Sequence, residues 1–75
     1  MTAAEARNRK ELFRDQLLAV EGVVGVGIAS DHQGGFLLSV YLECDSRAAR
    51  DRVGELLGGV PHRVIVTGTF RLLHA

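Results

Sequence analysis

The stretch from Val23 to Cys44 restricts the fold of this chain more than any other part of it. It reads VVGVGIAS, then DHQGG, then FLLSVYLEC. Two runs with the two-residue alternation of a strand are joined by residues that favour chain reversal, so a hairpin is expected. In the second run Phe36, Leu38, Val40, Leu42 and Cys44 share one face, while Leu37, Ser39, Tyr41 and Glu43 share the other. In the first run one face consists of Gly25, Gly27 and Ala29 and carries almost no side chain. Glycine inside a strand marks a bulge or a bend, or a place where something approaches the backbone closely.

The segments on either side have helical spacing. Residues 2–20 open with Thr2-Ala3-Ala4-Glu5, a capping-box pattern, and place Ala6, Phe13, Leu17 and Val20 on one stripe with Leu12 and Leu18 at its edges. Glu21-Gly22 supplies the stop. After the hairpin, Asp45 or Ser46 can cap a second helix in which Ala49, Val53, Leu56 and Leu57 recur on one face, ended by Gly58-Gly59 and Pro61. The run HRVIVTGTFRLL then alternates again and is expected to form a third strand.

The order αββαβ over residues 1–75 predicts a single α+β domain, ferredoxin-like in its two-layer arrangement but without the first strand of that unit. Right-handed crossovers put both helices on one face of a three-stranded sheet. Alternation assigns Val24, Val26, Ile28, Phe36, Leu38, Val40, Leu42, Val64, Val66, Phe70 and Leu72 to the helix side. Val23, Gly25, Gly27, Ala29, Leu37, Ser39, Tyr41, Ile65, Thr67, Thr69, Arg71 and Leu73 fall on the opposite side. That second set has few charges, and contiguous apolar surface tends to mark contact sites. Gly25, Gly27, Ala29, Leu37, Tyr41, Ile65 and Thr67 are therefore the expected protein-interaction residues, with an open sheet edge as a second mode of contact.

At 75 residues the domain belongs to a size class with a modest core, which self-association would supplement. The formal net charge is zero, so composition does not pull the chain towards polyanions. One cysteine, Cys44, excludes an internal disulfide and fits a reducing compartment. The charged N-terminus lacks the apolar core of a signal peptide, and no apolar run approaches the length of a membrane span. A cytoplasmic location is the expectation.

Residues for chemistry are sparse. His32, His62, His74 and Cys44 stand singly, without the close pairing of a zinc site, and Cys44 is expected as a small buried hydrophobe. The carboxylates Asp45, Asp51 and Glu55 read as helix-start caps and surface charges. Gly22, Gly25 and Gly27 precede a strand instead of linking a strand to a helix N-terminus, which argues against a phosphate loop. No catalytic residue, metal or cofactor is assigned, and the enzyme question leans towards no.

Nucleic-acid binding is the alternative. Arg7, Arg9, Lys10 and Arg14 lie on the first helix, with Arg47, Arg50 and Arg52 on the second. Acidic neighbours interrupt both groups, and Tyr41 alone offers a stacking surface on the sheet. A further alternative is a ligand-binding or enzymatic subunit whose site forms only between protomers.

The segments GVVGVGIAS, LLSVYLE and GGVPHRVIVTGTF together resemble a small bacterial α/β module associated with proteins that carry trypsin-like peptidase domains. The resemblance spans residues 21–70. It implies an accessory or stand-alone relative, without catalytic residues to carry over. The reading from sequence is thus a non-catalytic protein-interaction module, expected to form a homo-oligomer or to bind another protein.

Overall fold

The computed structural model describes residues 1–67. Helix α1 (Ala3–Leu18) begins at Thr2, whose Oγ1 accepts from the Glu5 amide at 3.1 Å while the Thr2 amide donates to Glu5 Oε1 at 3.0 Å. These reciprocal bonds satisfy two donors that the first helical turn leaves unpaired. They also hold the Glu5 carboxyl below its ordinary pKa, chiefly through the backbone donor of Thr2. Ala6 and Leu17 are fully buried, whereas Leu12 and Leu18 sit at the exposed margins of the stripe. The chain leaves the helix through Gly22 at φ +96°, a conformation that favours glycine.

Strands β1 (Val23–Ser30) and β2 (Phe36–Leu42) form the expected hairpin. Its turn is organised by Asp31, whose Oδ1 accepts from the amides of Gln33 at 2.8 Å and Gly35 at 2.9 Å. Those donors stabilise the charged form and hold the Asp31 carboxyl below its ordinary pKa. His32 and Gly34 both have positive φ, 68° and 86°. Helix α2 (Arg47–Leu57) is capped by Ser46, whose Oγ accepts from the Ala49 amide. Asp45 instead pairs with Arg50 at 2.7 Å. Strand β3 (His62–Val66) follows.

The sheet order is β1-β2-β3, antiparallel between β1 and β2 and parallel between β2 and β3. The place that a first strand would hold between the two parallel strands of a split βαβ unit is therefore closed. Met1 keeps a trace of that position, because it exchanges both backbone bonds with Phe36 in the manner of an antiparallel pair, at 2.8 and 3.3 Å.

Leu17 from α1, Val23 from β1, Leu38, Val40 and Leu42 from β2, and Ala49, Val53 and Leu57 from α2 form one buried cluster. Both helices thus meet the same face of the sheet. Val26, Ile28 and Val64 pack against this cluster from its margin.

Three expectations are corrected. The β1–β2 register shifts between Val23, opposite Leu42, and Gly25, opposite Tyr41. An extra residue in one strand reverses the alternation beyond it, so Val23 joins the core and Val24 is 43% exposed. β2 ends at Leu42, so Cys44 lies beyond the strand and is exposed, not buried. Val66 stands opposite Leu42, on the helix side as expected, but is 41% exposed at the end of β3 and lies outside the buried core. The expected continuation through Gly68, Phe70 and Leu72 lies outside the described residues.

Candidate interaction surface

The face of the sheet away from the helices is assembled by register. Gly25 stands opposite Tyr41, Gly27 opposite Ser39 and Ala29 opposite Leu37; on the other side of β2, Ser39 meets Arg63 and Tyr41 meets Ile65. Residues directly opposite in neighbouring strands point to the same face. Leu37, Ser39, Tyr41 and Ile65 therefore share this surface with the glycines. Thr67, next after β3, donates to the Leu42 carbonyl from both its amide at 2.8 Å and its hydroxyl at 3.1 Å.

The glycine strip has an occupant from the same chain. A β-carbon built on Gly25 would lie 3.5 Å from Tyr41 Cδ2, and one built on Gly27 would lie 3.4 Å from Cε2 and 3.6 Å from the phenolic oxygen. The ring of Tyr41 lies along β1 from Gly25 to Gly27, in the space that larger side chains would take. An aromatic ring laid over cross-strand glycine supplies the apolar cover that glycine lacks. All seven expected interaction residues, from Gly25 to Thr67, are half-buried.

Alternation alone puts Ser39 on this face without distinguishing it from Leu37 and Tyr41. Ser39 is fully buried, and its Oγ has no hydrogen-bond partner among the described residues. Its position opposite Gly27, beside the ring of Tyr41, was legible only once the hairpin register was known.

Three basic residues of the nucleic-acid alternative have carboxylate partners. Arg14 lies 3.7 Å from Glu11 and 3.5 Å from Asp15, Arg50 2.7 Å from Asp45, and Arg52 3.2 Å from Glu55. Arg7 and Arg47 are exposed and Lys10 half-buried, on α1 and α2. Among the described residues no three His, Cys, Asp or Glu side chains come together as a group that could hold a metal ion. His62 Nδ1 is 2.8 Å from the Val60 carbonyl, and His32 occupies the hairpin turn. A shallow cleft of about 630 Å³ lies between the end of α1 and the start of α2, with Glu21, Glu43, Cys44 and Arg52 in its lining.

No helix among the described residues is long and apolar enough to cross a membrane. Comparison with known proteins finds no matching family, no curated relative and no similar solved structure.

Proposed function

We propose that this domain is a non-catalytic interaction module that associates with a second copy of itself through the sheet. The observation that carries this reading is the one-sided placement of the helices. Among the described residues they cover one face, while the other carries Ala29, Leu37, Tyr41 and Ile65, all half-buried, beside the exposed Arg63, and runs directly into the edge strand β1. No residue from Val23 to Ser30 is charged. Unblocked edges and apolar faces are the features that folded domains otherwise protect with charge, proline or cover. Compensation of Arg14, Arg50 and Arg52 by neighbouring carboxylates argues against the helix arginines as a polyanion site.

The test is the solution mass of the chain across a dilution series by sedimentation equilibrium. A dimer that dissociates on dilution is expected. A monomer at every concentration up to about 1 mM, where even weak association would register, refutes self-association. Nucleic-acid binding that falls steeply with salt would favour the alternative.

A further inference from the structure

We infer that the second copy pairs along β1, antiparallel and with Ile28 on the two-fold axis, so that two three-stranded sheets become one continuous sheet. This rests on the self-association reading and specifies its surface. Phe36 bonds Met1 and Leu38 bonds Pro61, so alternate residues of β2 direct their backbone groups away from β1. In an antiparallel ladder the residues opposite them do the same on the other side. Ser30 stands opposite Phe36, Ile28 opposite Leu38 and Val26 opposite Val40. Val26, Ile28 and Ser30 therefore present their amides and carbonyls to the outer edge, where β1 has no neighbouring strand among the described residues. The bond from the Asp31 amide to the Gly35 carbonyl keeps the same alternation beyond the strand.

The geometry favours a second copy as occupant. An antiparallel edge-to-edge pair of identical sheets has its two-fold axis perpendicular to the sheet, so each residue meets a partner residue on its own face. The regular part of β1 lies between the register shift before Gly25 and the end of the strand at Ser30. Centred on Ile28, it sets Ile28 against Ile28, Val26 against Ser30 and Gly27 against Ala29. No charge opposes a like charge, and every outward backbone group of that stretch finds a partner. The small Gly27–Ala29 pair lies at the tip of the Tyr41 ring, leaving the ring room to reach the partner's strand. By contrast β3 begins next to Pro61 and carries Arg63, and proline and charge both discourage pairing.

The experiment is amide hydrogen exchange by NMR on the unmodified chain at low and high concentration, alongside its solution mass. The amides of Gly25, Gly27 and Ala29 face β2 and are expected to be protected at both concentrations. Those of Val26, Ile28 and Ser30 are expected to exchange fast when dilute and to slow by about tenfold once nine chains in ten are paired. A dimer whose Val26, Ile28 and Ser30 amides stay fast overturns the edge and leaves self-association standing through another surface. A chain that is monomeric throughout overturns both.

Discussion

Replacing Ser39 with alanine puts a number on the face opposite the helices. The side chain is fully buried and its hydroxyl has no partner among the described residues. Burying a hydroxyl without a hydrogen bond costs about 1–3 kcal/mol, and alanine removes that cost together with the group. The substitution opens a void the size of one oxygen atom, roughly 10–15 Å³, which costs about 0.3 kcal/mol at the usual dependence on cavity volume. Alanine is also a poorer strand former, within a scale that spans about 1 kcal/mol. The expected net effect is a stabilisation of about 1 kcal/mol, seen as a higher urea midpoint with an unchanged slope and a melting temperature raised by about 5 °C. Ser39→Cys, which replaces the hydroxyl with a weakly hydrogen-bonding thiol, should move in the same direction if the larger sulfur fits. A Ser39→Ala protein destabilised by 1 kcal/mol or more would show that the hydroxyl is hydrogen-bonded in solution, and the account of Ser39 given above would be wrong.

Other substitutions probe the elements around that face. Gly27→Ala should fold normally, since its methyl meets Tyr41 at ordinary contact distance. Gly27→Glu must displace the ring, and is expected to weaken self-association by at least about tenfold, or 1.4 kcal/mol, as measured by sedimentation. Thr2→Ala removes the cap of α1 and should cost about 1 kcal/mol in urea unfolding. The Asp31 carboxylate accepts two turn amides, so its folded pKa lies below the unfolded one. The stability it contributes is present above the unfolded pKa and is lost as pH falls through the folded value. NMR titration should give Asp31 a midpoint below that of an ordinary aspartate, with the Gln33 and Gly35 amides shifting together. An ordinary midpoint would mean that the turn is not held by this side chain. His32→Gly relieves a left-handed conformation in the same turn and should stabilise by up to about 1 kcal/mol, less the added freedom of the unfolded chain.

Much of the fold is written locally in the sequence, and for that reason could be read there. The Thr2–Glu5 capping box, the stripe from Ala6 to Leu17, the turn after Ser30 and the stop at Gly58 each depend on residues a few positions apart. Side-chain alternation likewise determined that Leu38, Val40 and Leu42 share a face opposite Ser39 and Tyr41. Tertiary structure decided what depends on distant partners. One residue of register shift moved Val23 into the core and Val24 out, because strand alternation has a period of two and any insertion inverts it. The end of β2 at Leu42 left Cys44 exposed, since a residue is inside only where another element covers it. Direct parallel pairing of β2 with β3 closed the slot for an additional strand, a choice between neighbours that periodicity within one strand does not express. The sequence announced a face of Gly25, Gly27 and Ala29 without side chains. Only the hairpin register, which sets Tyr41 opposite Gly25, laid the aromatic ring over it.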